Sequence, residues 1–479
     1  MEQTVHATLA QVLPVLAPAG ARLEGRLDTP FVGVTTDSRQ AGIGALFVAL
    51  RGERFDAHDF LSDVARQGVA AVIVEALPEG WDENKVAAIV VPDTLVALGR
   101  IANFWRRQFD LPVIGVTGSN GKTTVKEMLS SILAAAFGEQ DRLATRGNLN
   151  NEIGVPLTLF RLAAHHDAAV IEMGMNHPGE IARLAAIAEP TVAMVNNAQR
   201  EHQEFMHTVE AVARENGAVL AALPVDGVAV FPHGDEFTPL WRALAGDRRV
   251  IRFGLSKDAE VSCTHRAAEG FGSDLFVSVR DEQGDVRQFF VGLQAAGEHN
   301  VKNALAAVAC AVGAGVKLDA IKQGLEAFAP VAGRLQQKRA MNGATVIDDT
   351  YNANPDSARA AIDVLAQAGA PRILVLGEMG EVGTQGQQFH EEIGAYAAAK
   401  GIEHVLATGG LTRHMVASAE GTGTVVEYFE QFDGLLAALD ALLAGRPDAT
   451  VLIKGSRFMK MERAVQHLIG SNNNNKEAH

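Results

Sequence analysis

A chain of 479 residues suggests two to four domains, each long enough to bury its own core, and 47% hydrophobic with 21% charged residues is ordinary α/β composition. The formal net charge of −15 excludes a general nucleic-acid or anionic-membrane surface, so a polyanionic ligand must find a local positive site. The two cysteines, Cys263 and Cys310, have neither zinc-ligand spacing nor a disulfide framework, the usage of a reducing cytoplasm.

Glu2, His6, Pro14 and Pro18 interrupt the first apolar stretch and no basic leader precedes it, so neither a secretory signal nor membrane insertion is expected there. Short β-like runs at 45–50, 70–75 and 87–91 alternate with helix-like stretches at 59–67 and 94–108, which predicts a small α/β domain over 1–108. Its most polar segment, Thr35-Thr36-Asp37-Ser38-Arg39, reads as a turn with a solvated arginine or as a contact for a charged ligand. Pro112 disfavours helix in the residue before it, so Phe109-Asp110-Leu111-Pro112 ends the preceding helix and opens a domain expected over 109–330.

That domain begins with the most informative stretch of the chain. Val113 to Thr117 reads as a strand, Gly118-Ser119-Asn120-Gly121 as a loop and Lys122-Thr123-Thr124 as a helix start. The glycines let backbone N–H groups approach phosphate oxygens, Lys122 reaches the β/γ-phosphates of a nucleotide, and Thr123 offers its hydroxyl to Mg²⁺. Val125, Met128, Leu129, Ile132, Leu133 and Ala136 recur at helical spacing, so the loop sits at the N-terminus of an amphipathic helix whose dipole favours anions. The strict G-x-x-x-x-G-K-[ST] pattern wants glycine at 116; Val116 stands there, with Gly115 before it.

Apolar runs at 168–173 and 191–196, separated by helix-like stretches, predict a parallel, doubly wound sheet. Ligands of such sheets bind beyond the carboxyl ends of the strands, so Glu172 and His202 are expected to meet the phosphates and to hold Mg²⁺ or orient its waters. The amide-rich run from Gly147 to Pro156, with Asn148, Asn150 and Asn151, is either a structural turn or a contact for substrate or phosphate. Strands at 227–232, 250–254, 274–279 and 288–293 are read as antiparallel neighbours, an antiparallel sheet added to the doubly wound one, and helices at 300–312 and 318–328 close the domain.

Residues 331–479 alternate again, with strands at 344–347, 372–376, 404–407, 424–428 and 450–453, a Rossmann-like pattern without a second phosphate loop. Its polar clusters, Asp348 to Pro355, Gly377 to Glu381 and Lys454 to Arg457, include two that begin where strands end and so face the ligand side. The Asn472–Asn475 run reads as a disordered tail.

Taken together, these residues resemble the Mur ligases, ATP-dependent amide-forming enzymes of peptidoglycan precursor synthesis, over the full length. Thr117, Gly118, Ser119, Asn120, Gly121, Lys122, Thr123 and Thr124 are similar to the family's ATP loop, and Glu298-His299-Asn300 with Asn303 to the segment that meets adenine. Arg334 and Asp349 match its ATP-contacting arginine and ribose-contacting aspartate. Gly-Asn-Leu-Asn-Asn at 147–151, Asp-Asp-x-Tyr-Asn-Ala-Asn-Pro at 348–355 and Lys454–Arg457 with Met461-Glu462 look like the branch that adds D-alanyl-D-alanine, and Asp-Asn-Pro-Arg, which marks the diaminopimelate-adding branch, does not occur.

The resemblance implies three domains, binding the UDP end of a UDP-MurNAc-tripeptide, ATP and the incoming dipeptide D-Ala-D-Ala in that order. Ser38 and Arg39 then face the uridine end, and Asn148, Asn150, Asn151, Tyr351, Asn352, Asn354, Lys454, Ser456 and Arg457 are implied substrate contacts. Lys122, Glu172 and His202 are implied in catalysis, with Thr123, Glu172 and His202 on Mg²⁺. The family commonly carries, after the metal-binding histidine, a lysine whose carbamate helps hold a second magnesium; Asn216 stands at the matching position, and no lysine lies between Lys126 and Lys257. His202 with Glu201, Glu204, Glu215 or the Asn216 amide oxygen is then expected to hold that metal. A folylpolyglutamate-synthetase-like ligase shares the loop but not the branch clusters. A P-loop NTPase switch of the guanine-specific kind would need Asn-Lys-x-Asp, and Asn84-Lys85 is followed by Val86-Ala87. Oligomeric state is not written in the sequence, and a monomer is the working expectation.

Overall fold

The computed structural model describes residues 5–52, 55–82, 84–268 and 270–470; the Asn472–Asn475 run lies outside them. The fold is mixed α/β, organised around three main sheets. The first has five strands in the order Arg22–Glu24, Ala87–Val90, Ala71–Val74, Leu46–Val48 and Val34–Thr35, parallel except for the first. Its last helix, Thr94–Arg106, starts at Asp93, whose carboxylate accepts from the N–H groups of Leu95 (2.8 Å) and Val96 (2.9 Å). This helix packs on the next unit: Trp105 Nε1 donates to Leu162 O (3.1 Å) and Arg106 Nε to Ala188 O (3.1 Å). One apolar core therefore runs from Val5 through Ile101 to Trp241 without a break near residue 108.

The central sheet has nine strands, ordered Val286–Leu293, Gly272–Arg280, Val261–Ala268, Arg249–Gly254, Val228–Pro232, Val192–Val195, Val113–Thr117, Ala168–Glu172 and Arg142–Ala144. Helices cover both faces. Gly154–Leu159, Glu180–Ala188 and Val209–Ala221 share the first core, while Lys122–Phe137, Glu298–Gly313 and Leu318–Ala327 build a second on the opposite face. Val125, Met128, Leu129, Ile132 and Leu133 are all buried in that second core, as their spacing predicts. The chain leaves Val113–Thr117 toward one edge and returns on its other side at Val192–Val195, so the phosphate loop sits where the strand order reverses.

The antiparallel reading of 227–254 does not hold. Val228–Pro232 and Arg249–Gly254 pair in parallel, because Thr238–Ala245, with proline in its first turn, is a crossover helix that buries Trp241 and Ala245. A strand absent from the sequence reading, Val261–Ala268, then joins in parallel and turns the sheet antiparallel through Gly272–Arg280 and Val286–Leu293. Its outer half, Thr264-His265-Arg266, is exposed and polar, which hid the strand signal. The antiparallel strands thus extend the same sheet.

The third sheet has the order Gln336–Arg339, Thr345–Asp349, Thr450–Lys454, Arg372–Gly377, His404–Thr408 and Val425–Phe429, parallel apart from the antiparallel first strand. Among the described residues no helix is long and apolar enough to cross a membrane.

Candidate active site

A cleft of about 1550 Å³ lies between the carboxyl ends of the central and third sheets, lined by the phosphate loop, Glu172, the 196–202 segment and the Asp349–Ser357 run. The loop geometry follows from its glycines. Gly118 has φ +131° and Gly121 φ +82°, and a Cβ on Gly121 would lie 2.3 Å from Asn303 Oδ1 and 2.6 Å from Asn196 Nδ2. Asn196 Nδ2 in turn donates to Asn120 O (2.7 Å) and Asn303 Oδ1 (2.8 Å), and Asn303 Nδ2 to Asn300 Oδ1 (3.1 Å). Asn300 and Asn303 therefore meet the loop through a buried amide chain.

Thr123 is the junction of the site. Its hydroxyl donates to Glu172 Oε1 (3.1 Å) and accepts from Arg334 Nη2 (2.9 Å), while Asn150 Nδ2 donates to the same Glu172 oxygen (2.8 Å). Glu172 is almost wholly buried, and its Oε2 has no hydrogen-bond partner. A buried, half-satisfied carboxylate beside a hydroxyl and a phosphate loop fits a hard divalent cation. Among the described residues no three His, Cys, Asp or Glu side chains converge as a closed cage. Magnesium suits such a place, since it keeps waters and leans on nucleotide phosphates rather than on an all-protein shell.

The Lys122 ammonium folds back on its own loop, donating to Gly118 O and to Ser119 O (3.1 Å), and lies 3.5 Å from Glu201 Oε2. His202 stands behind Glu201, Nε2 3.8 Å from Glu201 Oε2, and its Nδ1 is 2.7 Å from Glu381 Oε2. That imidazole holds the Glu381 carboxyl below the usual range.

Other expected residues take more structural posts. Thr117 donates into the floor of the sheet, to Met194 O and Asn216 O (both 3.0 Å), away from the cleft. Asn151 holds the turn ahead of the Gly154–Leu159 helix, its Oδ1 accepting from Ile153 N (3.2 Å) and Gly154 N (2.8 Å), and Asn148 is exposed at the rim. Lys454 is buried, bonded to Asp349 Oδ2 (2.6 Å) and Asn352 O (2.8 Å), and burial pushes the Asp349 carboxyl up against the pull of that ammonium. Ser456 bridges the third-sheet loops, accepting from Gly380 N (2.7 Å) and donating to Ala353 O (3.1 Å). Tyr351 lies under Arg334, the guanidinium 4.1 Å from the ring centre, and Arg457 faces the cleft with most of its side chain exposed, 3.3 Å from Glu462. Asn352 is exposed beside it, and Thr124 lines the loop.

Ser38 and Arg39 do not join this cleft. Asp37 caps their short 3-10 turn and pairs with Arg39 at 2.9 Å, and among the described residues of the first-sheet unit Leu95 lines the cleft. The Asn216 Oδ1 accepts the Gly118 N–H at 3.0 Å, and Glu215 accepts from Gly179 N and Ile181 N (both 2.8 Å) at a helix start. Both are thus engaged elsewhere. Sequence reasoning missed Asn196, Asn197 and Gln199, whose amides hold Asn120; they end the Val192–Val195 strand beside the phosphate loop, and the strand-end rule applied to that polar run would have found them.

Comparison with known proteins agrees with this geometry. The model of the Mur ligase family, catalytic domain, matches residues 30–106, that of the Mur ligase middle domain 116–311, and that of the Mur ligase, glutamate ligase domain, 333–457. The chain is similar to UDP-N-acetylmuramoyl-tripeptide--D-alanyl-D-alanine ligase of Escherichia coli (strain K12), 38% identical over 97% of this chain and 98% of that protein. The protein of the same name from Haemophilus influenzae is 36% identical over 96% and 97%. Among solved structures, MurF from Acinetobacter baumannii has a TM-score of 0.89 at 35% identity, covering 98% of this chain and all of that one. The MurF ligase from Thermotoga maritima in complex with ADP has a TM-score of 0.80 at 25% identity, covering 91% and 97%. Matched along nearly its whole length in sequence and in fold, the chain belongs to the Mur ligase family.

Proposed function

We propose that this protein joins D-alanyl-D-alanine to the terminal carboxylate of UDP-MurNAc-tripeptide, using ATP, in peptidoglycan precursor synthesis. The observation that carries the reading is the Thr123 junction: loop hydroxyl, buried Glu172 and Arg334 meet at 2.9–3.1 Å, in a cleft whose far wall is the third-sheet polar run. The relatives named above are, by name, ligases of these two substrates, and the 348–355 and 454–457 clusters of this chain lie in that wall.

A carboxylate does not acylate an amine at neutral pH, because its oxygen is a poor leaving group. Attack of that oxygen on the γ-phosphorus of ATP releases ADP and gives an acyl phosphate; the dipeptide amine then attacks the acyl carbon, loses its proton and expels phosphate. In this reading Lys122 exchanges its loop carbonyls for phosphate oxygens and spreads the developing charge. Thr123 and Glu172, with His202 nearby, would hold Mg²⁺, which supplies further charge stabilisation to the transferring phosphoryl group. Asn300 and Asn303 position the loop and the base end of the nucleotide, Asp349 the ribose, and Arg334 the phosphates. Asn150, Tyr351, Asn352, Asn354 and Arg457 take the acyl and dipeptide ends, with Lys454 and Ser456 holding the loops that carry them. Ser38 and Arg39 take the uridine end, outside the cleft.

The enzyme works as a monomer in the cytoplasm in this reading, with one site per chain assembled from its own domains. The test is to incubate the protein with ATP, Mg²⁺, UDP-MurNAc-tripeptide and D-Ala-D-Ala and to measure phosphate release and product mass. One amide product per phosphate supports the reading. Phosphate release that ignores omission of both acceptor substrates points to an NTPase switch, and sinks it.

A further inference from the structure

The segment after the Val192–Val195 strand serves two masters. On one side it holds the phosphate loop: Asn120 N donates to Asn197 Oδ1 (2.9 Å), Asn120 Nδ2 to Gln199 Oε1 (2.6 Å) and Gln199 N to Ser119 Oγ (2.8 Å). On the other it grips the third-sheet unit. Arg200 donates through its backbone N–H to Asp356 Oδ2 (2.9 Å), through Nη2 to Asp356 Oδ1 (2.6 Å) and through Nη1 to Glu392 Oε2 (2.7 Å), with its guanidinium 5.3 Å from the Phe389 ring centre. Arg359 also donates to Glu392 (2.8 Å), so two cations and two carboxylates form a neutral chain, Asp356–Arg200–Glu392–Arg359. All four are at least partly shielded from water, and these carboxylates raise the Arg200 pKa despite its burial.

Two residues further on, His202 lies against Glu381 and Glu204 N donates to Glu381 O (3.3 Å). His202 and Glu381 have φ of +47° and +58°, left-handed conformations that non-glycine residues hold only when their surroundings fix them. The two residues lie in direct contact across the cleft, Nδ1 to Oε2 at 2.7 Å. No element of the phosphoryl-transfer scheme above needs Arg200, yet among the described residues its backbone and guanidinium together hold two carboxylates of the third-sheet unit.

We propose that Arg200 is a positioning residue for the second half of the reaction: by clamping Asp356 and Glu392 it keeps the dipeptide-binding unit closed on the loaded phosphate loop. The inference rests on the ligase reading of the preceding subsection. Its consequence is specific. Phosphoryl transfer depends on the Thr123 junction, whereas amide formation depends on the amine arriving before water. Loosening the clamp therefore lets the acyl phosphate hydrolyse and weakens capture of the dipeptide, while ATP binding stays nearly as it was.

Arg200→Ala, Arg200→Lys and Glu392→Gln are compared with wild type for phosphate released per amide formed, KM for D-Ala-D-Ala, KM for ATP, melting temperature and radius of gyration by small-angle scattering. Arg200→Ala is expected to raise the phosphate-to-amide ratio above one and the dipeptide KM about tenfold, with the ATP KM within about twofold and melting unchanged. Its radius of gyration is expected to exceed that of wild type. Arg200→Lys, which keeps the charge but loses the fork, falls between. A ratio of one with an unshifted dipeptide KM overturns the proposal, as does a uniform loss in both KM values together with melting, the mark of a merely structural residue. If Arg200→Ala does not fold, the same ratio shift is sought in Glu392→Gln, and its absence is equally fatal. A wild type that makes no amide sinks the ligase reading alone, and the scattering comparison then decides whether Arg200 holds the units closed.

Discussion

Asn354 and Asn120, 234 positions apart, face each other with a reciprocal amide pair: Asn354 Nδ2 donates to Asn120 Oδ1 at 3.0 Å, and Asn120 Nδ2 donates to Asn354 Oδ1 at 3.3 Å. Asn354 also caps the Pro355–Ala366 helix, accepting from Ser357 N at 2.8 Å. Cap and cross-cleft contact are therefore separable by chemistry. Asn354→Asp keeps an acceptor for Ser357 N but cannot donate to Asn120, so it should melt near wild type yet lose amide-forming activity. Asn354→Ala should in addition cost about 0.5–2 kcal/mol of stability. Thermal melts beside a double-mutant cycle with Asn120→Ala check this; an additive cycle would show that the pair carries no coupling.

Lys122→Ala should abolish ligation, by about 100-fold or more, with the fold intact. The ammonium is turned onto Gly118 O and Ser119 O, polar contacts within the cleft-lining loop rather than packing in an apolar core. Its removal should also diminish the rise in melting temperature that ATP gives to wild type. Wild-type-like phosphate release from a folded variant would remove the loop from the chemistry.

The phosphate loop was legible because three independent local signals coincide there: an apolar strand, glycines with a Lys-Thr pair, and a helix period whose apolar positions are buried. The Rossmann-like strands were legible for the same reason, each being a short apolar run between helices. What failed was anything depending on the partner of an element. Thr238–Ala245 has the length of a long turn and a proline near its start, and only the burial of Trp241 between sheet and helix marks it as a crossover. The Val261–Ala268 strand alternates poorly because its outer half faces water. In the site, single-residue chemistry pointed to Glu172 but not to Arg200, since an arginine in a polar loop looks solvated until the carboxylates of a distant helix are brought to it. Asn151 and Thr117 carry ligand-like side chains that the backbone consumes. Local pattern cannot distinguish a free amide from a spent one.

Burial, with smaller effects from Lys454 and Lys302, pushes the His299 imidazole down to about 4, against the pull of Asp363 and Glu298. The folded protein therefore prefers neutral His299. A group whose pKa is lowered on folding contributes stability that is present above its unfolded value, near 6.5, and is lost as pH falls toward about 4. Stability should accordingly decline across that window, and His299→Gln should flatten this part of the profile. Urea melts at stepped pH measure it, and a variant whose profile keeps the full slope would assign the slope to other groups.

Asn216 lies against the phosphate loop. Its side-chain oxygen accepts the Gly118 N–H and its backbone carbonyl accepts the Thr117 hydroxyl, both at 3.0 Å, so this residue braces the phosphate loop from beneath. It is buried with that oxygen committed to the loop, and Glu215 is occupied at the start of the Glu180–Ala188 helix. Among the described residues Lys126 is wholly buried and ion-paired with Glu127, and the next lysine along the chain is Lys257. No amine in this span is offered for carbamylation beside His202, so activity should not respond to removal of CO₂ or to added bicarbonate. Asn216→Leu should act differently from the loss of a metal ligand. It leaves the Gly118 N–H unpaired in a buried place, a cost of about 1–3 kcal/mol, and should raise the KM for ATP while leaving the Mg²⁺ dependence in place. Steady-state kinetics at varied ATP and at varied free Mg²⁺ separate the two. A shift confined to the Mg²⁺ curve, or activity restored by bicarbonate after CO₂ removal, would show that the residue serves a metal after all.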